Sequence, residues 1–91
     1  MNKCYEISLE GRVKGVGFRN FAFTKALKYG IKGYVKNTFE GNVEIVCCGN
    51  EESLDKFISD IKKGPSFSFI SKFTINNYND TENFKDFRIT Y

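Results

Sequence analysis

Residues 33–48, GYVKNTFEGNVEIVCC, decide the architecture. Two extended runs, 33–38 and 42–48, meet at Glu40-Gly41-Asn42, a glycine-containing turn of the kind that joins neighbouring antiparallel strands. Just upstream, residues 18–29 follow a helical pattern and stop at Gly30, a residue suited to the left-handed end of a helix. A helix followed by a hairpin does not continue the strand–helix–strand alternation of a parallel nucleotide-binding sheet. Working outward, residues 4–10 alternate Tyr5, Ile7 and Leu9 with Glu6, Ser8 and Glu10, the mark of a half-buried strand. Gly11, Gly15 and Gly17 then punctuate a loop. On the other side, Leu54, Phe57, Ile58 and Ile61 form an apolar stripe on a helix over 51–63. Asn50 can cap that helix, Glu51 and Glu52 suit its first turn, and Gly64-Pro65 ends it. An extended segment is expected at 67–76, interrupted at Ser71-Lys72, then a polar turn over 76–83 and a short strand carrying Phe87 and Ile89. The order β-α-β-β-α-β plus a terminal strand predicts an α+β, ferredoxin-like two-layer sandwich, with two helices on one face of an antiparallel sheet. One domain spans 1–91. That fold hosts many activities and decides none of them.

Composition narrows the function. Hydrophobic residues make up 41% of the 91 and ten are Phe, enough to fill one core. Lys plus Arg exceed Asp plus Glu by 14 − 11 = 3, a mild preference for anions and too little to argue for nucleic acid. No run approaches the roughly 18 apolar residues of a membrane span, and the first residues lack a signal-peptide core. A cytoplasmic protein without a membrane partner is expected. The cysteines Cys4, Cys47 and Cys48 are odd in number, and the adjacent pair must face opposite sides of a strand. Their spacing fits neither a disulfide framework nor a zinc site, so all three are expected as small packing residues. The chain has no His, which excludes His metal ligands, Ser-His-Asp and Cys-His nucleophiles, and His general bases.

The informative loop is GRVKGVGFR, Gly11–Arg19, between the first strand and the first helix. Its glycines let backbone approach a ligand, its successive N–H groups can form an anion nest, and a helix N-terminus follows. At about 100° per residue from Phe18, the residues Ala22, Phe23, Ala26 and Leu27 span about 40° to 180°. Arg19 falls near about 100°, in the middle of that apolar arc. Either it snorkels to solvent or caps a carbonyl, or it faces a bound anion; the glycine loop beside it favours the anion. Two other phosphate motifs fail. A P-loop needs Gly-Lys-Ser/Thr where this chain has Gly17-Phe18-Arg19, and the dinucleotide fingerprint begun by Gly15 and Gly17 meets Asn20 in place of its last glycine.

At these residues the chain resembles the acylphosphatases, small enzymes that hydrolyse carboxyl-phosphate anhydrides. GRVKGVGFR is similar to the family's phosphate cradle, GYVKNTFEGNVEI (33–45) to its second segment, and the likeness runs on to FKDFRI near the C-terminus. The resemblance implies that Arg19 binds the phosphate and Asn37 positions the attacking water, with the cradle formed by Arg12, Val13, Lys14, Gly15, Val16 and Gly17. It implies no metal and no cofactor, a small acyl phosphate substrate and inorganic phosphate as product; a monomer that binds no nucleic acid is the default expectation beside it. The proton of the water would pass to the substrate's own phosphate. On its residue type alone, Asn37 reads first as a turn former at a strand end, and only the resemblance turns that reading toward the water. Three positions depart from the family pattern: Lys14 where Gln is usual, Tyr34 where Trp is common, and Phe39-Glu40-Gly41 in place of an Asp-Gly turn.

Two other classes compete. A ferredoxin-like RNA-binding module would need a basic-Gly-aromatic strand, which Lys32-Gly33-Tyr34-Val35 begins without completing. A catalytically silent anion-binding domain of the same fold is suggested only by Lys14.

Overall fold

The computed structural model describes residues 2–79 and 84–90. In chain order it contains β1 (Asn2–Arg12), α1 (Phe18–Tyr29), β2 (Lys32–Asn37), β3 (Val43–Asn50), α2 (Glu51–Lys63), β4 (Phe69–Asn77) and β5 (Phe87–Thr90). The strands form one sheet in the order β4-β1-β3-β2-β5. The first four pair antiparallel, and β5 adds to β2 in parallel. Both helices cover one face, the ferredoxin-like α+β arrangement expected from the element order.

Local chemistry accounts for the helix bounds. Gly30 closes α1 in the left-handed region at φ 68°, its N–H donating to the Ala26 carbonyl. The Asn50 side chain caps α2 by accepting from the Ser53 N–H at 2.8 Å. Leu54, Phe57 and Ile61 of α2 are buried, and with Phe18, Ala22 and Ala26 of α1 they pack onto Ile7, Leu9, Val35 and Ile45 of the sheet. The Tyr29 hydroxyl donates to Asp60 Oδ2 at 2.8 Å and ties the two helices together. That bond, helped by Lys25, holds the Asp60 carboxyl below its ordinary pKa. Ser71, where an interruption was expected, is skipped in the β1–β4 register, which steps from Lys72 opposite Glu10 to Ile70 opposite Gly11. Gly11 is needed at that bulge: its φ is 124°, and a Cβ there would run into the Phe69 carbonyl. Of the polar turn expected over 76–83, Asn76 and Asn77 belong to β4, and 80–83 lie outside the described residues.

The cysteines divide. Cys47 is a buried packing residue whose thiol donates to the Tyr5 carbonyl at 3.7 Å; burial pushes its pKa up to about 12. Cys4 and Cys48 correct the packing expectation, because they form a disulfide. Spacing along the chain carries no information about strand register. Here antiparallel β1 and β3 place the two residues opposite each other, 4.1 Å apart at Cα. The bridge closes a loop with a sequence separation of 44, containing α1 and β2. Loop-closure entropy for that length corresponds to about 4 kcal/mol. Reduction by dithiothreitol, or Cys4→Ser, is therefore expected to lower Tm by roughly 10 °C or more. Equal melting curves with and without reductant would show that the cross-link contributes nothing.

Among the described residues, no helix is long and apolar enough to cross a membrane.

Candidate active site

The two helices begin differently. The N-terminus of α2 is capped by Asn50 and carries Glu51 and Glu52 in its first turn, so its amides and positive dipole end are already matched. The N-terminus of α1 has Gly17 at the cap position, no side-chain cap and no acidic residue in its first turn. The first intrahelical bond runs from the Phe21 N–H to the Gly17 carbonyl at 2.9 Å, so the amides before Phe21 in the first turn point out of the helix end. Gly15 and Gly17 adopt φ 74° and 77°, which side-chain-bearing residues rarely take. Nothing lies within 4 Å of where a Cβ would sit on either, so conformation rather than crowding demands glycine there.

This helix end opens into a cavity of about 150 Å³. A volume of about 10–15 Å³ open to a water-sized probe already holds one water, so a small anion and several waters fit. The topology explains what meets there. β1 ends where α1 begins, α1 runs back along the sheet, and β2 returns to the same end, finishing at Asn37. Alternation puts Asn37 on the same face as buried Val35, toward the helices. Because β5 is parallel to β2, its last residues reach this end too. Ile89 lines the cavity, and the Thr90 carbonyl accepts from Arg19 Nη1 at 3.5 Å.

Arg19 and Asn37 both line the cavity, together with Val13, Gly15 and Gly17 of the loop. Arg12, Lys14 and Val16 are not among its lining residues. Arg12 is the exposed end of β1, Lys14 is exposed, and Val16 packs against the core. Phe18, Asn20 and Ile89 line it without having been expected. Asn20 was within reach of the sequence, since it follows Arg19 in the same first turn, whereas nothing in the chain marked Ile89.

The position of Arg19 corrects the angular argument. Phe18, Ala22 and Ala26 are the buried residues of α1, while Leu27 is 66% exposed. The buried arc therefore centres near about 40°, and Arg19 lies on its edge, half-buried. The helix packs through Phe18, Ala22 and Ala26 and leaves Leu27 outside. The Arg19 guanidinium caps the Thr90 carbonyl and also lines the cavity, because Thr90 ends at its rim.

Among the described residues, Arg19 is the only charged side chain lining the cavity, beside the amides Asn20 and Asn37. This donor set suits an anion with several oxygens. Arginine stays protonated and asparagine does not titrate, so neither can act as a strong base near neutral pH. Cys47 is no nucleophile here, since its buried thiol stays protonated. Among the described residues, no group of three or more His, Cys, Asp or Glu could hold a metal ion.

Comparison with known proteins adds an independent line. A family model described as Acylphosphatase matches residues 5–89. An acylphosphatase of Archaeoglobus fulgidus is 42% identical over 86 residues, covering 94% of this chain and 96% of its own. One of Clostridium acetobutylicum is 40% identical over 91 residues, covering all of both chains. The crystal structure of acylphosphatase from Bacillus subtilis superposes with a TM-score of 0.92 at 37% identity, again over 100% of each chain.

Proposed function

The chain belongs to the acylphosphatase family, an enzyme of the type that hydrolyses acyl phosphates, and on that premise we propose a division of labour for its cavity. The phosphoryl group lies at the open N-terminus of α1, held by loop amides between Arg12 and Gly17 and by the Arg19 guanidinium. The Asn37 side chain orients a water in line with the phosphorus. That water attacks phosphorus, the bond from phosphorus to the bridging oxygen breaks, and its electron pair leaves with the carboxylate. The proton of the water passes to a phosphoryl oxygen, so the products are a carboxylate and inorganic phosphate.

The demands of the reaction match these donors. A carboxylate is already a good leaving group, and what remains is positioning and stabilisation of charge on the equatorial oxygens. The observation that carries the proposal is the contrast between the helices: α2 is capped and acid-flanked, while the uncapped, acid-free end of α1 meets Arg19 and Asn37 at one cavity. Residues 1–91 are taken as one domain acting as a monomer without metal, cofactor, nucleic acid or membrane. The Cys4–Cys48 bridge weighs against the cytoplasm, since disulfides persist chiefly in oxidising compartments.

The test is hydrolysis of benzoyl phosphate with EDTA present. Turnover proportional to enzyme supports the proposal. Binding of inorganic phosphate without turnover would identify a silent anion-binding domain instead.

A further inference from the structure

We propose that two copies of the chain associate through their β4 edges, residues 72–77 pairing antiparallel with the same segment of the partner, so that two sheets become one. The sheet ends on two unlike edges, β4 and β5. β5 is four residues long and carries Arg88, and a short, charged strand offers little to a newcomer. β4 is nine residues long, contains neither Pro nor Gly, and has Lys72 as its single charge. Among the described residues its outer side has no strand partner, so every second residue turns its backbone N–H and C=O outward. The bulge at Ser71 guards only the first part of the strand and leaves 72–77 regular.

This edge is complementary to itself. Phe73 and Ile75 stand opposite Leu9 and Ile7 on the helix-covered face, while Lys72, Thr74 and Asn76 stand on the open face. Ile75 is 39% exposed and Phe73 is half-buried. α2 runs beside them. Asp55 and Ile58 line a groove of about 460 Å³ with Ile75, Asn76 and Asn77, and Lys62 Nζ lies 5.0 Å from the centre of the Phe73 ring. The strip therefore carries a negative charge beside Ile75, a positive charge over Phe73, and apolar surface between them. Paired residues share a face, so Phe73 can meet the partner's Phe73, the partner's Ile75 or the partner's Asn77. The first choice sets Lys62 toward the partner's Lys62, and the last sets Asp55 toward the partner's Asp55. Opposing Phe73 with the partner's Ile75 instead sets Lys62 toward the partner's Asp55, twice by symmetry. It also sets Thr74 opposite the partner's Thr74 and Lys72 opposite the partner's Asn76, so no like charges face each other.

One strand and one helix edge make a small interface beside the roughly 1,200 Å² of stable complexes, so the dimer dissociates on dilution, with Kd on the order of 100 µM. No residue of α2 or β4 lines the cavity, so one chain suffices for turnover and the monomer taken above is the dilute form.

The experiment is sedimentation equilibrium of the full chain from about 10 µM to about 1 mM. The wild type is expected to rise from the 10.5 kDa of one chain toward twice that mass. Ile75→Lys, which puts a charge on the edge, should stay at the mass of one chain throughout. Asp55→Lys and Lys62→Glu should each weaken association on the order of 10-fold, and combining them should restore it. Benzoyl phosphate turnover per chain should not change in any variant. Melting curves show that each is folded, and the two exposed α2 positions carry the test if Ile75→Lys melts early. A wild type that stays at the mass of one chain would overturn self-association and leave the edge to a strand of another protein. A dimer that survives Ile75→Lys, or single charge variants that their combination does not repair, would overturn this pairing.

Discussion

Arg19→Ala is expected to remove nearly all acyl phosphate turnover, with kcat/KM falling on the order of 10³-fold or more. The reasoning starts from charge. A phosphoryl group brings negative oxygens to a cavity whose only charged lining side chain among the described residues is Arg19. Loop amides and the helix end supply fixed partial charges, but the guanidinium supplies the full charge and a planar fork for two oxygens. Ground-state binding should weaken too, so inorganic phosphate affinity falls with activity. The tether to the Thr90 carbonyl complicates a bare truncation, because its loss also removes a hydrogen bond between α1 and the last strand. Arg19→Lys separates the effects: it keeps charge and folding while losing the fork, and should remain folded but strongly impaired. Steady-state kinetics, phosphate titration and melting curves check all three. Full activity in Arg19→Ala would remove Arg19 from the phosphate site.

Asn37→Ala should cost mostly kcat, on the order of 10²-fold, by comparison with the loss of a single positioned transition-state donor. Asn37 ends β2, and its neighbour Thr38 is held by the turn, so the backbone stays in place when the amide is removed. KM and inorganic phosphate binding should change little, since the residue is assigned to water. A change confined to KM would instead assign it to substrate. The two variants thus make opposite demands on phosphate titration: lost in one, kept in the other.

Much of this was readable in the chain because the deciding signals are local. Both helices end where Gly30 and Gly64 place them, and the capping residue of α2 is the expected Asn50. The glycine loop, Arg19 and Asn37 converge because a strand–loop–helix–strand order returns every other turn to one end of the sheet. What escaped depends on register and on the far end of the chain. The Cys4–Cys48 bridge follows from which residues of β1 and β3 stand opposite, and Ile89 reaches the cavity only because β5 adds parallel to β2. The mistaken centre of the α1 arc has a related cause. Side-chain hydrophobicity gave Leu27 the same weight as Ala22 and Ala26, although the helix buries the face of Phe18, Ala22 and Ala26 and leaves Leu27 in solvent.

The most direct measurement is the fate of the solvent oxygen when benzoyl phosphate is hydrolysed in water labelled with heavy oxygen. Attack on phosphorus by a water that Asn37 orients places the label in inorganic phosphate and leaves the benzoate unlabelled. Label in the benzoate would mean attack at the carbonyl carbon, contradicting both the phosphoryl cradle at α1 and the role given to Asn37.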